Sequence, residues 1–305
     1  MRQTLFFQQA ELVLQILPFF KSEKVFALKG GTAINFFFRN LPRLSVDIDL
    51  TYLPINKREI ALTEISERLE KVSHRILQQL SKIEITKKTL TESNKTIGLM
   101  VKHANVSVKI EPNFILRGTV FEPQEQRLCK KGEELFEKTM SLSTLSFADL
   151  YGGKICAALD RQHPRDLFDI YILFKNEGIT EKIRKAFLVY LISHPRPIVE
   201  LLNPTLKDLS GIFNNEFKGM MTTPIKIDDL VQARLSLIHF VQHSLNEKER
   251  QFLLSVKQIQ PEWDLLELEH VDKLPAVQWK LFNLKKMDKA KHLNAVEKLR
   301  SFLEM

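Results

Sequence analysis

The sequence predicts an α+β protein: a mixed sheet with flanking helices, followed by a mainly helical C-terminal region. Three observations lead there. β-like runs cluster before Pro112, helical periodicity takes over near Phe147 and persists to Met305, and 44% of the 305 residues are hydrophobic, enough for a sizeable core.

The first helix is expected over Thr4–Phe20, where Leu5, Gln8, Gln9, Leu12, Ile16 and Phe19 fall near helical spacing and Pro18 stands close to the end. Lys24–Leu28 reads as a short buried strand. The Gly30-Gly31 pair breaks it, Thr32 offers a cap, and Ala33–Arg39 reads as an apolar helix stopping before Pro42. Val46–Leu53 alternates with the period of two of a strand, and Lys57–Leu80 is helical in pattern and rich in charge. Ile83–Leu90, Thr96–His103 and Val106–Ile110 are three further β-like runs. The stretch around Gly118 and Pro123 reads as loop, and His194–Pro204 as a turn between helices. These limits predict a first domain over 1–140 and a helical domain over 141–305, with the helices of Phe147–Phe174 packing back to complete the first domain's site.

Composition narrows the function. The net charge of +8 and pI near 9.3 favour a polyanionic partner, though many basic proteins bind none. Cys129 and Cys156 stand far apart with no CxxC spacing, which suggests neither a disulfide framework nor a cysteine zinc site. No apolar run reaches the ~18 residues of a membrane helix, and Gln8, Gln9, Glu11 and Gln15 interrupt the opening segment. The expectation is a cytoplasmic protein without membrane contact.

The chemistry concentrates in Ser45-Val46-Asp47-Ile48-Asp49-Leu50. On a strand, residues two apart share a face, so Asp47 and Asp49 converge. Two close carboxylates repel unless a cation lies between them, and hard oxygens at this spacing suit Mg²⁺ shared with substrate phosphates. A solvated strand face gives the same pair. The glycine turn one short helix earlier adds weight: Gly30 and Gly31 permit close approach of backbone to phosphate, and Thr32 adds a hydroxyl. A plain strand-to-helix turn would also place glycines there.

Lys29-Gly30-Gly31-Thr32-Ala33 followed by Arg43-Leu44-Ser45-Val46-Asp47-Ile48-Asp49-Leu50 resembles, in residues and spacing, the first motif of the AbiEii/AbiGii nucleotidyltransferase toxins. These are type IV toxin–antitoxin proteins and a branch of the DNA polymerase β-like superfamily. Lys109-Ile110-Glu111 resembles the family's second-motif strand, Asp149–Ala158 (DLYGGKICAA) its lysine helix, and Arg165-Asp166-Leu167-Phe168-Asp169 its last motif. The resemblance spans Val25–Phe174. It implies a nucleotidyltransferase-like fold and attack by an acceptor on the α-phosphate of a nucleoside triphosphate, with Mg²⁺ or Mn²⁺ at Asp47 and Asp49. The nucleotide would lie on Gly30, Gly31, Thr32 and Ser45. Lys154 would be catalytic, Asp166 would reach the active centre, and Arg165 would contact phosphate. The connection between Lys154 and Asp166 is short for the family.

Glu111 is a candidate third carboxylate that assists deprotonation of the acceptor; a solvent-facing acid at a strand end, with Pro112 next, is the other reading. The family's tRNA-modifying members make RNA, and tRNA in particular, the expected acceptor, and imply a cognate antitoxin. A protein or small-molecule hydroxyl, or a non-catalytic binding module, are the alternatives. His239 and His243 read as ordinary helix residues, Trp263 and Trp279 as packing anchors, and Lys280, Lys285, Lys286, Lys289 and Lys291 as a solvated face that could meet an RNA backbone.

Overall fold

The structure, a computed structural model, describes residues 4–304. The chain forms two compact units. One runs to Leu150 and regains Asn214–Ile225; the other comprises Tyr151–Phe213 and the chain from Lys226 onward.

The first unit is built on a seven-stranded mixed sheet. Its strands are β1 (Phe26–Lys29), β2 (Ile48–Tyr52), β3 (Ile83–Thr89), β4 (Thr96–His103), β5 (Val106–Asn113), β6 (Gln124–Arg127) and β7 (Ser141–Thr144), in the order β3-β4-β5-β2-β1-β7-β6. β1 and β2 are antiparallel, while β2 with β5 and β1 with β7 are parallel. The α+β expectation therefore holds, with β1 and β2 at the heart of the sheet and Phe26, Ala27, Leu28, Ile48, Leu50 and Tyr52 all buried.

Helix α1 (Leu5–Ile16) starts where the Thr4 hydroxyl accepts the Phe7 N–H, and passes into a 3₁₀ turn at Leu17–Phe20 that Pro18 can begin but not extend as α-helix. Helix α2 (Gly30–Ala33) continues as one wide π turn over Ile34–Phe38. It begins at Gly30, three residues before the predicted start, with Lys29 at the N-cap; Thr32 lies inside the helix and is no cap. Helix α3 (Arg58–Gln79) packs Ala61, Leu62, Ile65, Leu69, Val72 and Ile76 inward. Its Arg75 donates to the buried Glu23 carboxylate at 2.5 Å.

Two sequence readings of this unit are corrected. The strand predicted to open at Val46 opens at Ile48. β5 does not end at Ile110 but reaches Asn113: its last pair with β4 is Leu99–Ile110, so beyond that point only β2 flanks it and Pro112 sits at an edge where its missing N–H is tolerated. The stretch around Gly118 and Pro123 carries neither helix nor strand, as read; between it and Phe147, where the sequence suggests no element, lie β6, helix α4 (Lys130–Phe136) and β7. β6 is wholly polar (Gln-Glu-Gln-Arg) and β7 has one strongly apolar residue, Leu142, so neither shows an apolar alternation.

The returning segment Asn214–Ile225 pairs with the chain that leads into β2. Leu44 N–H donates to Met220 O at 2.8 Å, Thr222 N–H to Pro42 O at 3.1 Å, and Arg43 bridges Met221 in antiparallel fashion. Lys131 Nζ, from α4, reaches the Thr222 hydroxyl at 3.0 Å. Phe217 and Met220 anchor the strap in the core.

The second unit is helical: α5 (Phe147–Arg161, shared with the first unit), α6 (Pro164–Lys175), α7 (Glu181–Ser193), α8 (Ile198–Leu202), the single turn α9 (Ser210–Ile212), α10 (Ile227–His243), α11 (Glu247–Lys257), α12 (Pro275–Lys285) and α13 (Lys289–Phe302). The predicted turn over His194–Pro204 thus carries α8. A β-carbon on Gly152 of α5 would lie 2.8 Å from the Ala186 and Phe187 backbone of α7, so this glycine sets how closely the two helices approach. Lys280 of α12 donates to the carbonyls of His194, Pro195 and Arg196 just past the end of α7. Burial, with Lys257 adding to it, pulls its ammonium down to about 8. No helix of the described residues is long and apolar enough to cross a membrane.

Candidate active site

In the first unit the strands bring two of the predicted acids, Asp49 and Glu111, onto one line across the sheet, while Asp47 lies just before β2. Lys29 of β1 is in register with Asp49 of β2, and Asp49 with Glu111 of β5. Residues in register on neighbouring strands project from the same face, so cation, acid and acid stand side by side. β4 passes Glu111 with Gly98, the residue next to Leu99, and Gly98 is in register with Lys88 of β3. Because Gly98 has no side chain, Lys88 lies over it and places Nζ 3.1 Å from Glu111 Oε1. Glu111 is exposed, and Asp47 and Asp49 are half-buried.

The glycine turn meets this line at Asp49. Gly30 has φ +70°, in the left-handed region, and a β-carbon there would lie 2.5 Å from Asp49 Oδ2. Gly31 closes in on a different group: its β-carbon would lie 2.5 Å from the Arg43 guanidinium and 3.1 Å from Ser45 Oγ. Arg43 is only 2% exposed and donates to Leu44 O at 2.9 Å. A fixed positive group therefore backs the turn. The Thr32 hydroxyl bonds the Asp47 carbonyl at 2.5 Å and the Ser45 hydroxyl at 2.9 Å. With one proton to give, Thr32 donates to the carbonyl and accepts from Ser45, tying the helix directly to the acid segment.

Lys154, Asp166 and Asp169 converge in the second unit. Lys154 Nζ lies 2.7 Å from Asp166 Oδ1 and 3.1 Å from Asp169 Oδ2, and the three side chains are 7%, 0% and 1% exposed. Arg161 closes the cluster with two bonds to Asp166, at 2.5 and 2.9 Å. Burial opposes ionisation of Asp166, but Lys154 and Arg161 outweigh it and hold the carboxyl well below the usual carboxylate range. The short connection that marks this chain explains the geometry. Only Gln162 and His163 separate α5 from α6. Gln162 turns with φ +51°, and its buried side chain donates to Thr205 O and accepts from Lys207 N and Arg234. His163 caps α6 by accepting the Arg165 N–H.

The sequence matches the family model for the nucleotidyl transferase AbiEii toxin of type IV toxin–antitoxin systems over residues 12–285. The chain belongs to that family. It is a nucleotidyltransferase toxin, and AbiEii membership extends well past the Val25–Phe174 span on which the motif resemblance rests. Among solved structures the chain resembles MenT4, a nucleotidyltransferase toxin from Mycobacterium tuberculosis H37Rv, with a TM-score of 0.61 and 14% identity over 92% of this chain and 95% of that one. A search of curated proteins gave no match.

Against the AbiEii motifs, several site residues carried no local signal. Arg43 gives none because a lone arginine beside a proline has no periodicity. Arg161, which pairs with Asp166, gives none either, since a helix-end arginine looks like dipole compensation in sequence. Gly98 was readable, as an isolated glycine inside a strand marks a close approach. Asp149, in the lysine-helix motif, is buried and serves the fold: it accepts the Val120 and Phe121 N–H groups and the Ser146 hydroxyl. His239 and His243 stack on the surface of α10, and no group of three possible metal ligands occurs among the described residues. Trp263 packs on Phe252 as expected. Trp279 does not pack as an anchor: it is 58% exposed, because the buried face of α12 is formed by Val277, Leu281 and Leu284.

Gly30→Ala follows directly from this geometry. The new methyl meets both a left-handed backbone and the Asp49 carboxylate, so Asp49 must turn away. The expected result is a loss of transfer of about a hundredfold or more, as for other misplacements near 1 Å, measured as kcat/KM for labelled triphosphate. Activity within twofold of the parent would show that the Gly30–Asp49 contact is dispensable.

Proposed function

We propose that this toxin transfers a nucleoside monophosphate from a nucleoside triphosphate to an RNA acceptor, with tRNA the first candidate, in a reaction that depends on a divalent cation. The observation that carries this reading is the Asp49 carboxylate oxygen set against Gly30, which brings an acid directly against the glycine turn. Two half-buried acids are hard oxygen donors of the kind that suit Mg²⁺ or Mn²⁺. Asp47 and Asp49 would hold the ion, which when bound offsets charge on the phosphates and lowers the pKa of the attacking hydroxyl.

The chain's own groups supply positioning. Gly30 and Gly31 let Asp49 and Arg43 close on the turn, Thr32 and Ser45 hold it against Asp47, and Arg43 adds fixed positive charge behind it. The acceptor oxygen forms a bond to the α-phosphorus as the bond to the β-phosphate oxygen breaks and pyrophosphate leaves. Glu111, held by Lys88 at 3.1 Å, accepts the hydroxyl proton and releases it to solvent. We assign Lys154, Asp166 and Arg165 to the same reaction, Lys154 and Asp166 as one clamped pair. A cognate antitoxin is the expected protein partner of a toxin from this family.

Incubation of the protein with each labelled triphosphate, Mg²⁺ and total RNA tests the reading. Label is expected in an RNA band and to be lost on chelation. Label on protein or on a small hydroxylated compound would replace the RNA acceptor, and no label anywhere from folded protein would leave a binding module.

A further inference from the structure

The exposed aromatic residues of α12 form a patterned surface. Trp279 and Phe282 stand three residues apart on one face, with ring centroids 5.6 Å apart and planes 24° from parallel. Lys286, one turn further, places Nζ 4.2 Å from the Phe282 centroid. Trp279 is 58% and Phe282 45% exposed, well beyond the solvent contact of an anchor. Leu293 of α13 is 64% exposed as well.

The charge around these rings has one sign. From Pro275 to Val296 the chain carries five lysines and a single acid, Asp288. Asp288 is engaged as the N-cap of α13, accepting the Lys291 N–H at 3.0 Å. Lys280 is turned inward on the α7 carbonyls, which removes it from the basic run read in the sequence. Lys285, Lys286, Lys289 and Lys291 remain exposed.

We propose that Trp279, Phe282 and Lys286, flanked by Lys285, Lys289 and Lys291, form a platform for single-stranded RNA. Unpaired bases stack on the two rings while the lysines follow the phosphates. Three chemical features select this occupant. Parallel offset rings offer π-faces that any base can extend. The cations fall at the end of α12 and in the first turn of α13, next along the chain from the rings, where a phosphate chain can follow them. A second copy of the same face would set lysines against lysines. The proposal rests on the RNA-acceptor reading for its biological use, but not for its physical test.

The test measures binding of the full chain, without triphosphate, to a fluorescein-labelled single-stranded RNA of roughly a dozen nucleotides, by anisotropy at several salt concentrations. W279A is expected to weaken binding about tenfold and W279F to restore most of it. K285A/K286A/K289A is expected to reduce the slope of log K against log salt by about two. Unchanged affinity in W279A, or equal affinity for an RNA duplex, overturns the platform. So does a W279A variant that binds RNA like the parent but loses an acidic protein partner. Labelled transfer separates the two claims. If the parent labels no RNA yet binds it through Trp279, the acceptor reading fails and the platform stands. If W279A labels RNA at unchanged KM, the platform fails and the acceptor reading stands.

Discussion

Asp49→Asn is expected to lower nucleotide transfer about a thousandfold, the equivalent of ~4 kcal/mol of lost stabilisation at the reacting phosphates. The amide keeps the size of the carboxylate, so the contact over Gly30 survives while the charge proposed to hold a divalent cation does not. Stability is expected to hold or rise slightly, because Asp49 stands in register with Glu111 and like charges side by side repel. The check is single-turnover transfer beside a thermal melt. Full activity in a folded variant would remove Asp49 from the chemistry. Glu111→Gln in the same assay separates metal binding from proton transfer, since only the latter gives a loss that shrinks as pH rises.

The second large effect belongs to Lys154. Lys154→Ala leaves Asp166 and Asp169 buried with their shared cation gone, and removal of one partner from a buried ion pair typically costs ~3–5 kcal/mol. A fall of that size is expected in urea denaturation, together with loss of transfer. To separate the two effects, Lys154→Met is combined with Asp166→Asn and Asp169→Asn, which removes the buried charges together. Recovered stability without recovered activity assigns the clamp a part in catalysis; recovery of both would make it structural only. Acid sensitivity gives an independent reading. Asp166 is held below the usual carboxylate range, so its contribution is complete above about pH 4 and is lost as pH falls through the lower folded value. The parent should therefore lose stability more steeply on acidification below pH 4 than Asp166→Asn does.

What could be read in the sequence follows from how local each signal is. Gly30-Gly31 and the alternating Asp47/Asp49 are local, since glycine chemistry and a period of two need no tertiary context. The line Lys88–Gly98–Glu111–Asp49–Lys29 is not local: it exists only through strand order and register, which place β5 beside β2 and β4 beside β5. β6 and β7 were hidden for a related reason, as a polar edge strand is defined by its neighbour and not by its own pattern. On α12 both Leu281 and Phe282 are apolar, and only the packing of the helix shows which one faces water. Arg161 meets Asp166 only because a two-residue turn sets the direction of α6, which no local pattern announces.

The strap at Asn214–Ile225 also imposes an order on synthesis. The first unit includes residues encoded more than sixty codons after Leu150, and these residues brace Leu41–Leu44, the segment that carries Arg43 to the glycine turn. A ribosome that has released only the seven-stranded sheet has made a nascent chain whose Leu44 N–H still lacks Met220 and whose Leu41 carbonyl still lacks Thr222. The toxin therefore completes the bracing of its glycine turn only after the first stretch of its helical unit, Tyr151–Phe213, has also been translated.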